Sequence, residues 1–429
     1  MNGVTEIDVH VTTSDTPRAK RPIKICLHVL GRGGSDVRVM RSSAALIEAG
    51  YAVSVVDIET ERNLATKEEI DSISMHHIIV PNWYNARRFE PWFFVVAVKT
   101  FILSILRLIR MRADIYHACE LMALPACYIV SRLLRKPLIF EIYDLQFPVP
   151  YTGIAFWRRI GAHLYGILLP CCAGVIVTSP LHAQEISNRY RVPVITLVRN
   201  MPKYQAVQKT DRLTKYLGLS PNTRIALYQG YINIYRGLEA LVHAAPFLEE
   251  NIVIVIKGMT KGNGTDKAQL EALIIEKGVA DRIKVIPFVP YDEMLDWVAS
   301  ADIGLIVHRT DFSLNVQTLL PNKLFEYLMA GLPVLTSDIG AVVDVVKSYD
   351  VGQILTSIEP ENIGMAINAM LSDDTALHCM SQNALEAAKN DLNWEKESLQ
   401  LVRLYEDIIV RVKGKKGKRV HNMPNDTSK

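Results

Sequence analysis

Short apolar runs alternate along this chain with longer stretches in which apolar residues recur every three or four positions. The first run, from Ile23 to Leu30, leads into Gly31-Arg32-Gly33-Gly34. A helical pattern follows, reaches Ala49 and stops at Gly50, and Ala52 to Asp57 reads as the next strand. Strand, glycine turn, helix and strand form a βαβ unit, whose strands are parallel. The alternation continues through strand-like runs at residues 78–80, 114–117, 138–143, 174–178 and 194–198. Arg199-Asn200-Met201-Pro202 breaks it, and a second series follows at 224–228, 252–256, 283–286, 302–307 and 333–336. Two successive α/β series predict two doubly wound domains with a ligand cleft between them.

The predicted boundaries are a flexible tail over 1–22, a first domain over 23–200 and a second over 201–393. A C-terminal helix is expected over 394–412, and a disordered basic tail over 413–429. A chain of 429 residues is long for one core, which agrees with two domains. The net charge of +3 does not suggest nucleic-acid binding. The six cysteines form no CxxC pair, and residues 4–21 lack the apolar core of a secretory signal. A reducing cytoplasm is therefore the expected compartment. The basic run at 413–419 reads either as a solubility device or as an attraction to anionic lipid.

Residues 92–112 (WFFVVAVKTFILSILRLIRMR) approach the length of a membrane span. Lys99, Arg107 and Arg110 fall on one side of a helical wheel, so an amphipathic helix with a wide apolar face is expected. Part of that face should pack on the first domain's sheet, and part should touch the membrane headgroup region. Arg87, Arg88, Trp157, Arg158 and Arg159 would extend the patch, which makes a membrane surface an expected partner through residues 87–112 and a peripheral position on the inner membrane face an expected location.

The richest stretch is Pro321 to Leu335 (PNKLFEYLMAGLPVL). Pro321 opens a helix and Gly331 ends it. The amides of Asn322, Lys323 and Leu324 then lack partners inside the helix and can meet an anion. Glu326 lies on the same side, three and four residues on, and suits the hydroxyls of a nucleotide sugar. Arg236, at the head of a helix beginning at Gly237, makes a second phosphate site, with Lys257 a weaker candidate. Gly33 and Gly34 read as a ligand-facing loop, and the backbone of Phe288, Val289 and Pro290 as a reader of the base edge. His117 and Glu120 end a strand where the cleft should lie. No Asp-x-Asp triplet ends a strand and neither HExxH nor GxSxG occurs, so no metal site is expected and serine hydrolysis lacks support.

In this order the pieces resemble the GT-B glycosyltransferases of the retaining family-4 type, the group 1 glycosyl transferases. The resemblance extends from Ile23 to about Val412 and is strongest over residues 282–355, where PNKLFEYLMAGLPVLTSD is similar to the family's donor-binding signature; DIYHA, VIVTSP and GLEALVHAA support it. It implies two Rossmann-like domains. The first would bind a glycan or lipid-linked acceptor and the second a nucleotide-diphosphate sugar, with no further cofactor. Glu326 would match the second glutamate of the E-x7-E pair and hold the ribose, and the amides of Asn322 to Leu324 would bind the diphosphate. Arg236 would match the basic residue of the lysine-glycine pair and neutralise the leaving group.

Three positions depart from the family pattern. Thr318 stands where the first glutamate belongs, Tyr231 near the first basic residue, and Cys119 closes what is often His-x-His at His117. Asn315, Gln317 and Lys323 are candidates to compensate. The implied activity is metal-independent sugar transfer with retention. A catalytically inactive, membrane-docked nucleotide-sugar-binding subunit and a sugar-nucleotide epimerase are the alternatives.

Overall fold

The computed structural model describes residues 21–81, 91–145, 155–233, 236–260, 264–309 and 314–421; for Pro91, 155–158, 314–315 and 415–421 only the backbone is described. The first domain contributes β1 (Lys24–His28), β2 (Ala52–Glu59), β3 (Lys67–Ile70), β4 (Ile73–Ile79), β5 (Ile115–Cys119), β6 (Leu138–Ile142), β7 (Gly174–Val177) and β8 (Ile195–Leu197). The second contributes β9 (Arg224–Tyr231), β10 (Ile252–Met259), β11 (Ile283–Pro287), β12 (Ile303–Ile306), β13 (Val334–Thr336) and β14 (Gly352–Ile354). The sheet orders are β3-β4-β2-β1-β5-β6-β7-β8 and β11-β10-β9-β12-β13-β14. Every described pairing is parallel except β3 with β4. These are the two doubly wound, Rossmann-like domains expected from the alternating pattern.

The central strands β5, β6 and β7 are buried along their whole length, as sheets covered on both faces require. In the first domain one face packs under helices Pro91–Met111 and Leu124–Leu134. The other packs under helix Val37–Glu48 and the C-terminal helix Trp394–His421, whose Trp394, Leu401, Leu404, Tyr405 and Ile408 join Ile25, Leu27, Val55 and Ile139 in one cluster. The chain thus crosses back and closes on the domain where it began. The C-terminal helix is longer than expected: residues 413–421 continue it, because the lysines and arginines of this run are good helix formers that outweigh Gly414 and Gly417. Residues 422–429 and 1–20 lie outside the described residues.

Two arginines of helix Val37–Glu48 hold the link between the domains. Arg38 donates to the carbonyls of Val198 and Arg199, both at 2.8 Å. Arg41 donates to the Met201 carbonyl and, at 2.8 Å, to Asn200 Oδ1. Both guanidiniums lie over the Trp394 ring, and Arg199 pairs with Glu397 at 2.6 Å. The linker, the first helix and the returning helix are therefore one polar assembly.

Helix Pro91–Met111 buries Val96, Thr100, Ser104 and Leu108, a stripe with a four-residue repeat. Thr100 satisfies its hydroxyl by donating to the Val96 carbonyl at 2.8 Å. Phe94, Val95, Val98, Ile102 and Leu106 lie on the outside, all at least 47 % exposed, with Lys99, Arg110 and Arg112 also exposed. The helix is long and apolar enough, by length and composition, to cross a bilayer, yet its inner stripe is committed to the domain. Arg87, Arg88 and the side chains of Trp157 and Arg158 lie outside the described residues.

Candidate active site

A cleft of about 950 Å³ lies between the carboxyl edges of the two sheets. Helix Asn322–Met329 opens into it. Pro321 is its N-cap, and Gly331, at φ +69°, ends it with the left-handed turn that glycine adopts freely. Among the described residues the amides of Asn322 and Lys323 make no backbone hydrogen bond, and both residues line the cleft. Leu324 differs from expectation. Its amide donates to the Pro321 carbonyl at 3.1 Å and its side chain is core, so only two of the three expected amides are free. The Asn322 side chain accepts from Asn200 Nδ2 at 2.9 Å, tying the helix start to the interdomain linker.

Glu326 faces the same cleft one turn further in and accepts from Gln229 Nε2 at 2.5 Å. Burial raises its pKa; the Gln229 bond and the charges of Lys257, Lys323 and Arg41 act the other way. Lys257 is not the cleft residue expected. β10 runs through it to Met259, so its side chain is fully buried and does not line the cleft. Burial lowers its pKa to about 8 against the pull of Glu326, so it acts on the site through that carboxylate.

Arg236 lines the cleft from the turn between β9 and helix Leu238–Ala244. Gly237 fixes this turn at φ +73°, and a Cβ there would fall 2.1 Å from the Val307 carbonyl oxygen. Phe288 and Tyr291 of the same domain also line the cleft. Val289 and Pro290 do not line it: Val289 packs half-buried on the core, and exposed Pro290 lies off the cleft. Thr318 also lies off it, with its side chain buried and its carbonyl accepting from Ser179 Oγ at 2.6 Å; Leu319 and Leu320 line the wall instead. The side chain of Asn315 is outside the described residues.

The first domain's wall is made by Arg32, Ser35, Asp36, Arg38 and Arg41, by Glu120, and by Tyr143, Asp144 and His182. Gly33 and Gly34 shape this loop without lining the cleft. The Gly33 amide donates to Asp57 Oδ2 at 2.9 Å, and a Cβ would press on Val55 and Asp57 at 3.0–3.1 Å. A Cβ on Gly34 would meet Ile70 at 3.3 Å. Glu120 is exposed at the cleft, as expected of a strand end. His117 is not: it is fully buried, with Nδ1 2.7 Å from the Tyr405 hydroxyl and Nε2 3.4 Å from Glu141 Oε2. It does not line the cleft, and reaches it only through Glu141 and Arg38, which are 2.6 Å apart. Contrary to expectation, His117 makes no direct contact with the cleft among the described residues.

Among the described residues two groups bring metal-type ligand atoms together: His117, Cys119 and Glu141, and Asp57, Glu59 and His77. In both, ion pairs or hydrogen bonds already occupy the ligands. Glu141 is held by Arg38, His117 by Tyr405, Asp57 by His77 at 2.6 Å and Glu59 by Arg32 at 3.1 Å. Burial also raises the Cys119 thiol well above its ordinary range, which disfavours the thiolate a metal needs.

Sequence reasoning missed Arg38, Arg41, Gln229 and Tyr291. Arg38 carried a signal, as an arginine on the otherwise buried side of its helix. Arg41 did not: its charge is felt by Tyr291 of the other domain, and both line the cleft, a proximity no local pattern reveals.

Similarity to known proteins identifies the family to which this fold belongs. The model of the group 1 glycosyl transferases matches residues 210–387, and that of glycosyltransferase family 4 matches 32–201. A D-inositol 3-phosphate glycosyltransferase of Thermobispora bispora is 21 % identical, with 96 % of each chain covered. Sucrose-phosphate synthase of Thermosynechococcus elongatus shares the fold with a TM-score of 0.73 and 18 % identity, over 91 % of this chain and 100 % of that one. Anabaena HepE, solved with UDP-glucose, superposes with a TM-score of 0.68 and 15 % identity, over 90 % and 100 %. With a family model on each domain and free amides, a carboxylate and an arginine converging between them, this chain belongs to the group 1 glycosyltransferases of GT-B architecture.

Proposed function

We propose that this glycosyltransferase moves a sugar from a nucleotide-diphosphate donor to a lipid-linked or cell-surface glycan acceptor with retention of configuration. The observation that carries the reading is the convergence of Arg236, the free amides of Asn322 and Lys323, and Glu326 on one wall of the cleft. Glu326 holds the ribose hydroxyls, and Phe288 and Tyr291 flank the base. Arg236 and the two amides face the diphosphate, where negative charge grows as the glycosidic bond breaks. Preorganised donors at such a position contribute about 3–4 kcal/mol each to the transition state. These charges stand where a resident cation would otherwise be needed, so the reading includes metal-independent transfer. Glu120 and Arg38 on the first domain face the acceptor hydroxyl, and domain closure excludes water.

Uridine, guanosine and adenosine diphosphate sugars, screened by thermal shift, test donor binding: the correct donor at 100 times its dissociation constant should stabilise the protein by about 2.7 kcal/mol. Incubation with that donor and a membrane extract should release nucleoside diphosphate. No release with any donor and extract would count against catalysis here.

The acceptor reading draws on the outer face of helix Pro91–Met111. Its exposed Phe94, Val95, Val98, Ile102 and Leu106 adjoin the exposed Lys99, Arg110 and Arg112. Such a face suits the headgroup region of an anionic membrane, each basic residue near the surface adding about 1 kcal/mol. A peripheral position on the cytoplasmic membrane face follows. Vesicles rich in anionic lipid should sediment the protein and neutral vesicles much less. Ile102→Asp should abolish sedimentation while leaving nucleotide binding unchanged, and retained sedimentation would exclude this face.

A further inference from the structure

Lys323 is 5 % exposed, and its Nζ makes no hydrogen bond among the described residues. It lies 3.7 Å from the centroid of the Tyr228 ring. Above it is Gly230, at φ +140°, where a Cβ would sit 3.5 Å from both Lys323 Cε and Nζ. Gly230, Lys323 and Arg236 all line the cleft. A buried side-chain amine given no hydrogen-bond partner is costly to keep in a fold, and more so when it carries its charge. Methionine would fill the same space without that penalty. An anion in the cleft that Gly230 and Lys323 both line would supply the missing partner.

We propose that Lys323 supplies the second positive charge of the diphosphate site, from beneath Gly230, in place of the basic residue that Tyr231 displaces from the loop. The inference rests on the nucleotide-sugar reading above. Tyr228 supports the arrangement twice: its ring seats the ammonium, and its hydroxyl donates to the Tyr231 carbonyl at 2.9 Å, fixing the loop over it. The groups facing Lys323 are Arg236, which repels its charge, Glu326 on its own helix, which attracts it, the Tyr228 ring, and His308, whose pKa burial holds well below its ordinary range so that it stays uncharged. Burial and Arg236 hold its pKa well below the ordinary lysine range. An incoming diphosphate reverses that balance and charges the amine, so binding takes up a proton.

The test is calorimetric titration of the full-length protein at pH 8 with uridine, guanosine and adenosine diphosphates, in two buffers of different ionisation heat. The wild type should take up part of a proton with the diphosphate it binds. Lys323→Met should bind that diphosphate at least tenfold more weakly and lose the proton uptake, and without ligand it should melt no lower than wild type. Tyr231→Arg added to Lys323→Met should recover affinity without recovering the uptake. Unchanged affinity and proton count in Lys323→Met would overturn the role of Lys323 and leave the donor site standing. A fall in unliganded melting temperature in both Lys323→Met and Lys323→Gln would make the residue structural and overturn it too. If the wild type binds none of the three diphosphates, the donor-site reading itself fails.

Discussion

Replacing Arg38 by methionine is expected to destabilise the folded chain by about 3–5 kcal/mol, because it strands a buried carboxylate. Arg38 is 4 % exposed and Glu141 1 %, and Arg38 Nε and Nη2 both donate to Glu141 Oε1, at 2.9 and 2.6 Å. The same guanidinium holds two carbonyls of the interdomain linker, so the substitution also unties the domains. Denaturant titration should show the midpoint falling, and Arg38→Met with Glu141→Leu should recover much of the loss. The pair also sets an acid limit. Arg38 and His117 hold Glu141 down from an ordinary 4.5 to about 2 in spite of its burial. A carboxyl depressed on folding contributes stability that is complete above its unfolded value and lost as pH falls through its folded one. The contribution should fade between about pH 4.5 and 2, by roughly 3 kcal/mol. A stability profile flat across that window would mean that Glu141 is not held as a buried anion.

Arg236→Ala should lower kcat at least tenfold, and about 100-fold if Arg236 acts as a preorganised donor to the leaving group. Its acceptor KM should change little, since the residue belongs to the second domain's wall of the cleft, not the first's. Folding should be preserved, because the turn is set by the backbone of Gly237 rather than by the arginine. The rate of nucleoside diphosphate release under saturating donor reads the effect. An unchanged rate would remove Arg236 from the transition state.

Most of the strands were legible because both faces of a parallel sheet are covered, so a strand shows as an unbroken apolar run. β6, LIFEI, is such a run, interrupted only by Glu141, which Arg38 neutralises. β3, KEEI, was invisible: it is a polar strand at the sheet edge, paired among the described residues antiparallel to β4. β14, GQI, is a partly exposed strand at the sheet edge and carries no apolar run. Helix Asn322–Met329 was legible because Pro321 and Gly331 mark its ends through local backbone geometry. Side-chain direction was not. A residue near a strand end points toward the cleft or into the core according to where the strand stops, and β10 carried Lys257 inside. His117 was misread for a related reason. Its partner Tyr405 lies 288 residues away on the returning helix, and nothing near His117 announces that contact.

The most direct test of the account is a crystal structure of the protein with the nucleoside diphosphate it binds. Phosphate oxygens should lie within hydrogen-bond distance of the Asn322 and Lys323 amides, with Arg236 beside them and Glu326 on the ribose hydroxyls. A nucleotide bound with its phosphates away from the opening of helix Asn322–Met329, or with its ribose clear of Glu326, would contradict it.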